Sequence, residues 1–303
     1  MNIQVRPLSP SACEIIVPPS PAPMLKTLII SDVHYDSSHC DRATLKRHLD
    51  EALEQDAAIF VIGDWFDVMG CHKDPRSKAA DIRPEYIQKR RSYLDLVIDD
   101  SFEFLKPYRE NIAMMSMGNH ETAILKHRDT DPLERLVNLL NQGTRLETFK
   151  GAYSGNMVIK MNRSSGGGRC VYKIGYHHGK GGGAKRSKGV LGSQIDAMMY
   201  PDCDMLISGH DHNKLHDPSN VRFRFNERTG KTYQDAIEWL KLGTYKMTRN
   251  DFGYEVEKGY MPSRMGGWFV DFKLVREYLN GKELAYIDSC VREAKPLRVA
   301  SAM

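Results

Sequence analysis

Five short apolar runs along the chain end in the same kinds of side chain. Asp32 and His34 close LIISDVH, Asp64 and Asp67 lie in GDWFD, and Asn119 and His120 lie in GNHE. His177 and His178 follow in YHHG, and His210 and His212 in GHDH. These are oxygen and nitrogen donors with no thiolate among them, a set that suits divalent metal ions. Each motif has a plain alternative. D-x-H puts two side chains on one face of an extended strand. GDWFD reads as a turn with a tryptophan anchor, and GNHE as a helix start with asparagine as the cap and glutamate at the positive end of the dipole. Two histidines on one strand face, as in HDH, suit a transition metal better than the other motifs do. Donors at five separate tips are hard to explain by packing.

The elements that must carry these tips follow from periodicity. LKTLII, AAIFVI, NIAMMSM, VYKIGY and DMLIS read as buried strands, while WLKLGTYK and GGWFVDFKLV read as closing strands. Between them, RATLKRHLDEALEQD places Leu45, Leu49, Ala52 and Leu53 on one helical face. Helical spacing also covers about 85–108 and 133–140, and a helix is expected near 194–199. Alternating strands and helices predict an α/β fold, and in such sheets ligands gather at the carboxyl ends of the strands. SSGGGR at 164–169 reads as a hairpin turn or a mobile loop. Residues 1–23, with six prolines, read as an N-terminal extension able to pair at a sheet edge; 24–303 read as one domain, with 276–303 a helical or extended tail.

The ordered set D-x-H, GD-x-x-D, GNHE, HG after a strand, and GH-x-H resembles the calcineurin-like metallophosphoesterase family over about Leu25 to Asn213. The resemblance implies a four-layer α/β/β/α sandwich with two mixed sheets and a dinuclear metal centre at the strand C-terminal ends. It further implies Asp32, His34 and His212 on one metal, Asn119, His178 and His210 on the other, and Asp64 bridging both. His120 would act as general acid or charge stabiliser beside the scissile phosphate, oriented by Asp67. A carboxylate has two oxygens with which to bridge two cations, and an amide binds through its carbonyl without adding charge. Two such ions hold a bridging hydroxide for in-line attack, so no covalent nucleophile is required. The mixed O/N donor set without thiolates suits Mn²⁺, Fe or Zn²⁺ alike, and Mn²⁺ is the expected ion of the active form.

The run YHHGKGGGAKRSKG at 176–189 supplies the fourth ligand tip. The family pattern puts the ligand directly before glycine, which selects His178 and leaves His177 a structural or supporting role. A nucleotide P-loop fails here, because Ile174 occupies the first glycine position and Gly181 follows Lys180; GKT at 230–232 fails likewise on Phe225. Lys180, Lys185 and Arg186 are candidate substrate-binding residues, either folded over the centre or part of a solvated loop. Protein-phosphatase members of the family extend GD-x-x-D with an arginine and a glycine, the arginine gripping phosphate. Here Val68 and Met69 follow Asp67, which weakens a phosphoprotein substrate and leaves Arg186, Lys185 or Arg128 to that role.

Composition bounds the rest. In 303 residues, 41% are hydrophobic and 27% charged, with no apolar run long enough to span a bilayer. The six cysteines are scattered with no C-x-x-C pair, so neither a disulfide framework nor a cysteine zinc site is indicated, and a reducing cytoplasm is the expected setting. A net charge of +4 permits an anionic partner without naming it. The expected partner is a phosphorylated small molecule, nucleotide or nucleic acid, with no membrane. VRFRFNERTGKTY at 221–233 interleaves basic and aromatic residues, a pattern that suits single-stranded nucleic acid but also a hairpin with one exposed face, which is favoured. A repair-type DNA nuclease and a phosphoprotein phosphatase are the alternative enzymes, and a catalytically silent metal-binding interaction module is the alternative from another class.

Overall fold

The computed structural model of the protein describes residues 2–68, 82–87, 92–162, 168–180, 196, 198–247 and 264–295. Three of the apolar runs form β3 (Met24–Ile30), β4 (Ala58–Ile62) and β5 (Ile112–Ser116), which lie parallel to one another. Strand alternation sends their side chains into two cores. Leu28, Ile30, Ile59 and Val61 pack under the helices, whereas Leu25, Ile29, Phe60 and Ile62 face the second sheet. Burial on both faces explains why these runs read as continuous apolar stretches.

With β6 (Phe149–Gly151) on one side, and β12 (Trp268–Leu279) and β13 (Lys282–Glu293) on the other, they make a six-stranded mixed sheet. Helices α1 (Arg42–Glu54), α3 (Tyr93–Leu105) and α5 (Pro132–Leu140) contribute Leu45, Leu49, Val97, Leu133 and Leu136 to its outer core. The short helix α2 (Pro84–Ile87) adds Tyr86, and α4 (Asn119–Arg128) follows β5 directly. The α1 start is fixed by Asp41, whose carboxylate accepts the Thr44 N–H at 2.9 Å.

The second sheet has seven strands in the order β1 (Gln4–Ser9), β2 (Ala12–Val17), β7 (Ser154–Asn162), β8 (Arg169–His177), β9 (Met205–Ser208), β11 (Lys231–Lys241), β10 (Leu215–Asn226). It too is mixed, so the chain has the α/β fold that the strand and helix alternation predicts and the two mixed sheets that the resemblance implies. Cys203, Leu206, Ile237 and Trp239 cluster on its outer face. Of the helix expected near 194–199, residues 196, 198 and 199 are helical and the others lie outside the described residues.

Two segments set apart in the sequence are strands of these sheets. Residues 4–17 form a hairpin whose β2 pairs parallel to β7 and buries Cys13, Ile15 and Val17. Pro7 is tolerated because β1 is the edge strand and its register shifts between Pro7 and Ser9. Residues 282–293 are the antiparallel partner of β12. Among the described residues no helix is long and apolar enough to cross a membrane, which says nothing of a β-barrel.

Because β3, β4 and β5 run parallel, and β8 and β9 run parallel in the facing sheet, five chain segments leave the sandwich at carboxyl ends. The first two stay paired beyond their strands, through Asp32 N–H to Gly63 O at 3.2 Å and His34 N–H to Asp64 O at 3.1 Å.

Candidate metal centre

All nine candidate ligands and acid-base residues reach this end of the sandwich. The strand-face reading of D-x-H and H-x-H does not describe how. β3 ends at Ile30 and β9 at Ser208, and the donors lie past them in left-handed backbone: Asp32 (φ 51), His34 (φ 48), Asp64 (φ 49), His210 (φ 75) and His212 (φ 58). Left-handed conformations are uncommon for residues with a Cβ and cost on the order of 1–3 kcal/mol where the surroundings enforce them. Five of the nine left-handed non-glycine residues among those described are therefore candidate ligands, which marks this end as a place where the fold holds strain.

Two motif glycines have a steric reason. A Cβ on Gly63 would run into the His178 imidazole, and a Cβ on Gly118 would run into the Asp64 carboxylate. Glycine lets these loops approach closely enough for Asp64 to meet His178.

Three triads of donor atoms emerge, each with its atoms within 4.8 Å of one another: Asp32, His34 and His212; His34, Asp64 and His120; Asp64, His178 and His210. Asp64 belongs to two of them. Its Oδ2 lies 3.1 Å from His178 Nε2 while its Oδ1 accepts the His120 N–H at 3.0 Å. Asn119 is the first residue of α4 rather than its cap, which is Gly118. Its Oδ1 instead lies 2.8 Å from His210 Nδ1 and 3.2 Å from His178 Nε2. His212 Nε2 is 3.5 Å from Asp32 Oδ1.

The imidazoles are aimed from behind. His178 Nδ1 donates to Ile62 O at 3.0 Å, turning Nε2 towards Asp64 and Asn119. His34 Nδ1 is 2.9 Å from Asp67 Oδ1, while His34 Nε2 is buried with no hydrogen-bond partner among the described residues. A buried nitrogen with no hydrogen-bond partner beside carboxylates and imidazoles suits a metal ligand, and the oxygen and nitrogen donor set fits two divalent ions. His120 Nδ1 donates to the main-chain carbonyl of Asp67 at 2.6 Å; the Asp67 carboxylate is 3.8 Å from the same nitrogen. The residue expected to orient His120 thus does so with its backbone, and its carboxylate serves His34.

Electrostatics follow from burial. Desolvation would raise Asp32, but His212 and His178 hold it at about 2. Desolvation likewise opposes the ionised forms of Asp64 and Asp67, yet the neighbouring imidazoles keep both well below the usual carboxylate range. Burial pushes His34 down to about 4, whereas the Asp64 charge overcomes burial and lifts His178 to about 10. A metal entering the site must displace that His178 proton.

Three residues escaped the sequence reading. Asp36 accepts the N–H groups of Asp67 (2.6 Å) and Val68 (2.8 Å) and the Tyr93 hydroxyl (2.5 Å). Glu121, read as a dipole charge, accepts N–H groups from Asp64 (3.1 Å), Phe66 (3.0 Å) and Gly118 (2.8 Å), clamping the GDWFD loop to the α4 start. Lys246, read as part of a closing strand, lies in the loop after β11, and its Nζ is 2.8 Å from Asp67 Oδ1. The signal for Asp36 was its place two residues after His34, continuing D-x-H to D-x-H-x-D.

Of the candidate substrate-binding residues, Lys180 is exposed, and Lys185 and Arg186 lie outside the described residues. Arg128 is exposed at the α4 end. His177 is half-buried, and its Nδ1 accepts the Gly179 N–H at 2.8 Å.

A family model for calcineurin-like phosphoesterases matches residues 25–214, the stretch that carries all five tips. The chain belongs to the calcineurin-like phosphoesterase family. The family uses dinuclear metal centres, in keeping with the paired triads here. No curated protein matches the sequence. Solved structures similar to the chain include vacuolar protein sorting 29 from Cryptosporidium parvum, with TM-score 0.35 and 14% identity over 89% of this chain and 99% of that one. Vps29 from Entamoeba histolytica complexed with Zn²⁺ has TM-score 0.34 and 12% identity over 88% and 99%. GAP50, the anchor in the inner membrane complex of Plasmodium, has TM-score 0.38 and 10% identity over 90% of each.

Proposed function

We propose that the protein is a metal-dependent phosphohydrolase that cleaves a phosphodiester or phosphomonoester, with nucleotides and nucleic acids the favoured substrate class. The observation that carries this reading is the sharing of Asp64 between two donor triads, one of which includes His120. Asp32, His34 and His212 would hold one divalent ion, Asn119, His178 and His210 the other, with Asp64 common to both. When bound, the ions supply Lewis-acid polarisation of the phosphoryl oxygens and a water of lowered pKa.

The chain's own residues do the rest. With Nδ1 committed to the Asp67 carbonyl, a protonated His120 presents Nε2–H towards the crevice, 3.9 Å from Asp64 Oδ2. That proton is available to a leaving oxygen, a contribution of about 10²–10⁴ in rate. Glu121 and Asp36 keep the loop that carries the Asp67 carbonyl in register.

The β10–β11 hairpin does not enter this reading. Phe223 and Phe225 are exposed on one face, but Arg222 and Arg224 turn to the other and pair with Asp235, so cation and aromatic do not present together.

The test is to strip the protein of metal, reload it separately with Mn²⁺ and Zn²⁺, and assay matched chromogenic monoester and diester substrates with His120→Ala alongside. We expect Mn²⁺ to support hydrolysis and His120→Ala to lower kcat with metal content unchanged. Full metal loading without hydrolysis of either ester would overturn the enzyme reading in favour of a metal-binding interaction module.

A further inference from the structure

A phosphate ester entering the crevice brings anionic oxygens, and a cation placed to meet them is expected beside the His34 and His120 side of the centre. Val68, which follows Asp67, is buried and carries no charge. Lys241 is committed to Asp211 and is 4% exposed. Lys180 neighbours His177 and Asp196.

Lys246 meets the requirement. Its Nζ bonds Asp67 Oδ1 at 2.8 Å, the same oxygen that contacts His34 Nδ1, so it stands one hydrogen bond away from His34. Its side chain is 11% exposed and makes that single described hydrogen bond, leaving two of its three N–H donors for a ligand. The backbone beneath is built, not loose. Thr244 Oγ1 and Tyr245 N–H both bond Asp32 O, at 2.8 and 3.0 Å; Lys246 N–H bonds Thr244 Oγ1 at 2.9 Å; and Met247 N–H bonds His39 O at 2.8 Å. The loop is thus registered on the same residue that carries a candidate ligand carboxylate.

We propose that Lys246 binds a non-bridging oxygen of the substrate phosphoryl group, as a point charge aimed by Asp67 and delivered by the loop after β11. The proposal rests on the phosphoesterase reading and is tested apart from turnover, with inorganic phosphate as the probe. Metal-loaded wild type, Lys246→Met and Lys246→Arg are titrated with phosphate by calorimetry, and metal content is measured for each.

Loss of a charged hydrogen bond to phosphate weakens binding about 10- to 100-fold. We expect that loss in Lys246→Met, with metal content unchanged, and substantial recovery in Lys246→Arg, which keeps the charge. On an ester substrate the same variant raises KM more than it lowers kcat. Phosphate affinity within twofold of wild type in Lys246→Met overturns the proposal. So does loss of metal from that variant, which would make Lys246 a support for Asp67 alone. If wild type binds phosphate yet hydrolyses no ester, the phosphoesterase reading fails while Lys246 is still judged by phosphate affinity.

Discussion

The two sides of the candidate centre hold their imidazoles in different ways. On one side His178 leans on a main-chain carbonyl, Ile62 O, at the end of β4. On the other, His34 leans on the Asp67 carboxylate, which is shared with Lys246 from a loop 179 residues further along the chain. The first support exists once the central strand has formed, and no side-chain substitution removes it. The second depends on a charge pair between two loops, so it is open to adjustment by single residues. One centre therefore joins a fixed half to a tunable half, with Asp64 between them.

Removing the shared residue erases the contrast and has the largest expected effect. Asp64→Asn takes one anionic oxygen pair from both triads, so both metal-binding steps weaken and hydrolysis falls further than the about 10–100-fold typical of losing a partner behind a ligand. Calorimetric titration with Mn²⁺ reads this directly. Retention of one step at wild-type affinity would show that Asp64 serves only one side.

Asp67→Asn sharpens the contrast. It replaces the carboxylate behind His34 and leaves Ile62 O behind His178 in place, so one metal-binding step weakens by about 10–100-fold and the other is unmoved. His120 keeps its orientation because its acceptor is the Asp67 carbonyl. Equal weakening of both steps would mean that the two sides are coupled through the loop and that the distinction drawn here is wrong.

The convergence of the candidate ligands was legible because polar donors at strand ends interrupt apolar runs, and a polar residue in such a place has few other reasons to be there. The same holds for the central strands, whose burial on both faces leaves an unbroken apolar signature. What stayed hidden was the support. Asp36 and Glu121 are buried acids held mainly by backbone N–H groups, and a sequence shows nothing of where those groups point. Lys246 was hidden by its neighbours, because Leu242 and Tyr245 continue the apolar rhythm of β11 after the strand has ended at Lys241. The left-handed turns at Asp32 and His210 were equally silent, since they arise from contacts between loops and not from any local glycine at those positions. At the edges, β1 and β13 carry many exposed residues and lack the apolar signal that marks the centre.

The smallest effect on the site, and one confined to its tunable half, comes from His48. It is fully buried in α1, with Nδ1 2.7 Å from the Tyr245 hydroxyl and Nε2 2.8 Å from Lys295 O, so it props the residue before Lys246. Burial depresses its pKa to about 4, only partly offset by the Lys295 carbonyl. In the unfolded chain a histidine titrates near about 6.5. The folded state thus prefers the neutral ring, and its contribution is complete above about pH 6.5 and is lost as pH falls through the interval down to about 4. Linkage sets that loss on the order of 3 kcal/mol. His48→Gln keeps a hydrogen-bonding side chain and removes the titration, so the difference in Tm between wild type and variant narrows as pH is lowered from 7 to 4, while metal affinity at pH 7 is unchanged. A Tm difference constant across that range would show that His48 is not held neutral by the fold. Acid should then weaken the Lys246 loop no sooner than the Ile62-supported side.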